Sequence, residues 1–151
     1  MRSYSKLKHY ILSAFREIFI YHHNSLFFRA KLFALLIVVD DEEYADYYIN
    51  LRSAALKIYE DPDRAELLVL TTKELVQKVK KSNELNADKL IESIVQELKD
   101  IPRYAKKIDK EILTSLLEVT HNEEVKVYQE RIVEFLDNLK TEIYAKYNLS
   151  D

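Results

Sequence analysis

Leu32-Phe33-Ala34-Leu35-Leu36-Ile37-Val38-Val39-Asp40-Asp41-Glu42-Glu43 is the stretch on which the fold turns. From Leu26 to Val39 only Arg29 and Lys31 interrupt a run that is apolar nearly all round. A helix without a polar face belongs at the centre of a bundle. The run is too short to span a bilayer. It ends in four carboxylates, which suit a helix start, where acids cap free N–H groups and complement the macrodipole. Asp40 or Asp41 is therefore the expected cap of a following helix. That helix reaches to about Tyr59, with Tyr44, Tyr47, Leu51, Ala55 and Ile58 as its stripe.

Outward from this hairpin the pattern stays helical. Leu7, Ile11, Phe15 and Ile18 form one helix face, and His22-His23-Asn24 reads as a turn. Asp61-Pro62 is a stop and restart, because Asp caps and Pro is tolerated in a first turn. Thr71-Thr72-Lys73-Glu74 reads as a capping box, which splits the segment up to Lys81 into two short helices. Asn86 opens a helix bearing Leu90, Ile91, Ile94, Val95 and Leu98. Pro102 starts another with Tyr104, Ile108, Leu113, Leu116 and Leu117. Asn122 or Glu123 begins the last, with Tyr128, Ile132, Phe135, Leu139 and Ile143. No sustained period-two alternation occurs, so the expected fold is all-α, a single domain of about seven helices.

The opening stretch has an echo at an offset of 81 residues. Leu32, Leu35, Leu36 and Val38 map onto Leu113, Leu116, Leu117 and Val119. Glu42 and Glu43 map onto Glu123 and Glu124, and Tyr47 maps onto Tyr128. Shared helical period explains some of the apolar matches. The Glu-Glu pair at the matched turn is harder to obtain that way, and a duplicated helix–acidic turn–helix unit is the reading.

The 151 residues hold no glycine and no cysteine. Disulfides, thiolate metal sites and cysteine nucleophiles are excluded, as are Gly-rich nucleotide loops and the Gly-containing nucleophile elbow. Helix ends must use other residues, and Asn24, Asn50, Asn83, Asn122 and Asn148 are placed for it. Net charge is −3, unevenly spread. Residues 1–39 carry six basic side chains (Arg2, Lys6, Lys8, Arg16, Arg29, Lys31) against Glu17 alone, a net of +5, and the remainder carries −8. A basic head on an acidic body either packs against that body or seeks an anionic surface. No secretory leader is evident: Arg16 and Glu17 break the first apolar stretch and no small-residue cleavage site follows. The expected location is the cytoplasm, with peripheral membrane contact through the head as the further option.

The residues that could carry chemistry lie in the two turns. Asp40, Asp41, Glu42, Glu43 and Asp46 form one set, and His121, Glu123 and Glu124 the other. Clustered oxygens suit Ca²⁺, Mg²⁺ or Mn²⁺, and an imidazole shifts the preference toward Zn²⁺. The same residues are expected at ordinary helix starts in any case. His22-His23 reads as a solvated turn, and no histidines pair at helical spacing. No nucleophile, cofactor motif or base–nucleophile pair is present, so no enzymatic activity and no small-molecule substrate are expected. Lysines scattered among acids make nucleic acid an unexpected partner. Eleven tyrosines are many. Most suit the margin of a core, and Tyr44 and Tyr48 with Arg2, Lys6, Lys8 and Arg16 are the expected contacts to a protein partner, a second copy of the chain or an anionic membrane.

Together these features resemble the TerB-like (tellurite-resistance) superfamily, on the stretches Leu32–Glu42 and Leu113–Glu123. That family is all-helical and internally duplicated, and each half leads an apolar helix into an acidic turn of the form Ala-Asp-Gly followed later by Glu. The resemblance divides the chain into residues 1–24 as an added basic helix, 25–147 as the TerB-like domain and 148–151 as a tail. It implies a stress-response module that binds a divalent ion through its acidic turns, sometimes at a membrane. Only Asp40 matches the motif residue for residue. Val39 and Thr120 stand at the Ala position, Asp41 and Asn122 at the Gly, His121 at the second Asp, and Tyr47 and Tyr128 at the later Glu.

Overall fold

The computed structural model describes residues 24–82 and 86–151. The expected first helix, the His22-His23 turn and the break at Asn83 lie outside them. Among the described residues there are six α-helices, two short 3₁₀ turns and no strand. They are α1 (Asn24–Val38), α2 (Ala45–Tyr59), α3 (Pro62–Lys81), α4 (Ala87–Asp100), α5 (Lys110–Leu116) and α6 (Glu123–Tyr147). The 3₁₀ turns span Pro102–Lys107 and Leu117–Val119. None of these helices is long and apolar enough to cross a membrane.

The apolar stretch takes the central place that its composition requires. Leu26, Phe28, Ala30 and every residue from Leu32 to Ile37 are buried. α1 packs on α3, on α4 and on the Pro102–Lys107 turn, while α2 lies across α3 and α5. Phe28 is fully enclosed, its ring tilted on Tyr104 at 5.3 Å. Even Lys31 of the basic head is turned inward, donating to Ser93 Oγ at 2.7 Å and to Glu97 at 3.0 Å on α4. Its charge is thus spent inside the fold.

Local signals at helix starts hold where a side chain reaches the next turn. Asp61 accepts the Asp63 N–H with Pro62 opening α3, Asn86 accepts the Lys89 N–H, and Asn122 accepts from Glu124 and Val125. Three expectations fail. α3 is one continuous helix, because the Thr71 and Thr72 hydroxyls are buried and donate back to the carbonyls of Leu67 and Leu68 at 2.7 and 2.8 Å. Back-bonding of this kind removes them as caps. The segment after Pro102 is not one helix: the 3₁₀ turn ends at Lys107, and Asp109 caps a separate α5 through the Ile112 N–H. On α6, Tyr128 and Phe135 are largely exposed, and the buried stripe is Gln129, Ile132, Val133, Leu136 and Ile143.

Asn148 ends α6 in the left-handed conformation, as a glycine-free chain requires, but Asn50 lies inside α2. The left-handed end of α2 falls instead to Glu60, at φ 55°. Such a backbone costs a residue with a Cβ about 1 kcal/mol relative to Gly. Glu60→Gly is expected to raise the unfolding free energy by about that amount, measured by urea denaturation.

Candidate functional site

The two acidic turns meet at one end of the molecule. The Tyr44 ring stacks on His121 at 4.5 Å between centroids and 20° between planes. Beneath them, Tyr47 Oη lies 2.9 Å from Thr120 Oγ1. The carboxylates nevertheless do not gather. Among the described residues no three His, Asp or Glu side chains form a group that could hold a metal ion. The tyrosines that follow the acids account for three of them: Tyr44 donates to Glu42, Tyr47 to Asp40 and Tyr48 to Glu43. The Tyr44 phenol is held up at about 12 by its bond to Glu42 and then by burial. Burial first, then the Glu43 bond, pushes Tyr48 up as well. Asp41, Asp46, Glu123, Glu124 and His121 are solvent-exposed.

Asp40 corrects its expected role. α2 begins only at Ala45, and its N-terminal position, Tyr44, makes no side-chain cap bond. Asp40 is instead 4% exposed. Its carboxylate accepts the Glu42 N–H at 3.1 Å and the Tyr47 hydroxyl at 2.7 Å. Its carbonyl accepts from Lys80 Nζ at 3.1 Å. Gln129 Nε2 donates to Tyr47 Oη at 3.1 Å and to the Leu36 carbonyl at 2.9 Å, and its Oε1 accepts from Thr120 at 2.6 Å. A buried polar network survives only when its members are satisfied. This one ties the end of α1, the acidic turn, α2, the Leu117–Val119 turn and α6 together.

The network also bears on the apparent repeat. At an offset of 81 the apolar partners Leu51 and Ile132, and Ala55 and Leu136, are all buried. The polar partners part company: Tyr47 is fully buried and Tyr128 is 49% exposed, while Asp40 is buried and His121 exposed. The inward polar residues of the second half are Thr120 and Gln129, one step either side of the repeat register. A duplication is not established by this arrangement.

Of the expected partner contacts, Arg2, Lys6, Lys8 and Arg16 lie outside the described residues. Tyr48 is not a free anchor: it is 8% exposed and its ring lies under Lys73. Tyr44 is half-buried against His121.

A different site appears where no motif announced one. A cavity of about 200 Å³ opens between α1, the end of α2, the Pro102–Lys107 turn and α5. Arg29, Lys106 and Lys107 line it, with Asp109 as the single carboxylate, over a floor of Phe33, Ile58, Ile112 and Leu113. The Arg29 guanidinium is seated 5.1 Å from the Tyr59 ring centroid, and Arg64 lies 5.3 Å from the same ring. Neighbouring cations are neutralised: Lys110 pairs with Glu134 at 3.0 Å and Lys140 with Asp151 at 3.5 Å. Among the described residues Arg29, Lys106 and Lys107 form no ion pair within 4.0 Å, although Lys106, after Tyr144 and Lys140, helps to hold the Asp151 carboxyl below the usual range. Burial, and then Arg29, Arg103, Arg64 and Lys106, hold the Lys107 ammonium below the usual lysine range.

A lysine depressed in the folded state penalises folding at low pH, and the penalty is relieved as pH rises from the lowered value toward 10.5. Lys107→Met is therefore expected to raise Tm at neutral pH by at most about 2 °C, since solvent screens part of the repulsion. A calorimetric scan at pH 7 checks it. The sequence concealed this cluster because Arg29 and the Lys106-Lys107 pair lie far apart in the chain and neither is part of a recognisable motif.

These features define an all-α helical protein with a cationic cavity and a separate pair of acidic turns. The chain matches no protein-family model, no curated protein and no solved structure.

Proposed function

We propose that this chain is a non-enzymatic helical adaptor that engages an anionic membrane surface through a basic face centred on Arg29, Lys106 and Lys107. The observation that carries the reading is the set of cations left without ion pairs around the cavity. Like charges held together destabilise a fold unless a counter-charge arrives, so an anionic partner is the natural complement. Arg29 belongs to the basic first segment, whose Arg2, Lys6, Lys8 and Arg16 add to the attraction in sequence. Apolar floor and cationic rim together suit an interface where charged and apolar groups lie side by side. Within the TerB-like resemblance, this keeps the membrane-associated adaptor role and does not rest on a metal ion.

Vesicle flotation tests it. The protein is expected to float with anionic vesicles and not with neutral ones, and to be released by salt. The triple variant Arg29→Gln, Lys106→Gln, Lys107→Gln is expected to lose flotation. A variant of the same net charge, Lys78→Gln, Lys81→Gln, Lys99→Gln, is expected to keep it. Equal loss in both variants, or no flotation of the wild type, rules the reading out.

A further inference from the structure

We propose that the cavity lined by Arg29, Lys106 and Lys107 is a specific site for one phosphate monoester group. This rests on the reading that the basic face meets an anionic surface, and it adds what that surface must present. Three cations face one carboxylate there, and Asp109 is already committed to the Ile112 N–H at 3.2 Å. The lining thus has an excess of two positive charges. A phosphate monoester carries about −1.5 to −2 at neutral pH, whereas a diester or carboxylate carries one charge.

Size agrees with charge. Sites for drug-sized ligands occupy roughly 300–1,000 Å³. A volume of about 200 Å³ suits a single small group. Geometry agrees too. Arg29 offers a planar fork that matches phosphate oxygens, and its guanidinium is held within 5.1 Å of the Tyr59 ring centroid at the cavity. Lys106 and Lys107 add point charges from adjacent positions on a turn whose Tyr104 and Ala105 are anchored in the core. A dianion in the cavity offsets the repulsion from Arg29 and Lys106 that bears on the Lys107 ammonium, so the group destabilising the empty fold becomes a ligand contact.

Two probes test the site and its source on the full chain. Inorganic phosphate is titrated at constant ionic strength and followed by amide NMR. Saturable shifts are expected at residues 106–109 and at the Arg29 side chain. Arg29→Gln and Lys107→Gln are each expected to weaken binding by about tenfold or more, the effect of one charged hydrogen bond. Lys106→Gln, on an exposed position, gives a variant that keeps the fold and still weakens binding, and Lys78→Gln leaves it unchanged. In the second arm, vesicles of phosphatidate, a monoester, are compared with phosphatidylglycerol, a diester, at equal surface charge. Preference for phosphatidate assigns the group to a lipid headgroup, and phosphate binding without that preference assigns it to free phosphate. No saturable phosphate shift together with equal flotation on both lipids overturns the monoester site while leaving the adaptor reading standing. Loss of flotation on every anionic vesicle removes the adaptor reading itself.

Discussion

Replacing Tyr47 with phenylalanine is expected to lower the unfolding free energy by about 2–3 kcal/mol, although it removes one oxygen. The ring stays, so the packing term is nearly unchanged. What is lost is a hydroxyl that donates to Asp40 and accepts from Gln129 in a fully buried setting. The substitution leaves a carboxylate oxygen and an amide N–H without partners, and buried unsatisfied groups carry their full desolvation penalty. Tyr128→Phe, its counterpart in the apparent repeat, is expected to change stability by less than about 0.5 kcal/mol, because Tyr128 is 49% exposed. Urea denaturation of both variants checks the pair. Equal effects would restore the strict repeat and refute the network.

The same network gives an alkaline dependence. Burial first raises the Tyr47 phenol above 10, with the Asp40 bond acting in the same direction and Thr120 and Gln129 against it. A group whose folded value is raised contributes fully below its unfolded value and loses that contribution as pH passes through the folded one. The stability gap between wild type and Tyr47→Phe is expected to be widest below about pH 10 and to narrow above it. A constant gap between pH 8 and 11 would contradict this.

Phe28→Ala is expected to have the largest effect of all, about 3–5 kcal/mol. Phe28 has no exposed surface, lies in the helix that α3, α4 and the Pro102–Lys107 turn enclose, and packs against Tyr104. The cavity left behind cannot collapse, since Leu32 and Leu35 on the same helix are already packed on all sides. Thermal and urea unfolding measure it, and a loss below about 1.5 kcal/mol would show that α1 is not the centre of the fold.

The sequence by itself determined the all-α class and several helix starts. Asp61-Pro62, Asn86 and Asn122 act within one turn of the chain, so nearest neighbours settle them. The apolar run from Leu26 determined the centre, because such a helix has nowhere else to go. Tertiary structure decided the rest, and each case turns on competition for a buried partner. Thr71 and Thr72 had equal local claims to cap or to back-bond, and burial chose the second. Asp40 could cap or turn inward, and the Tyr47 hydroxyl drew it inward. Gln129 lies outside the expected stripe of α6, yet it is buried with its amide bonded to Leu36, Tyr47 and Thr120, while Tyr128 is exposed. The cationic cavity is the extreme case: Arg29 and Lys107 are brought together only when α1 packs against the Pro102–Lys107 turn. Helical periodicity indicates that each helix has an inward face, but carries no record of which residues at its margin turn in or which helix they will face.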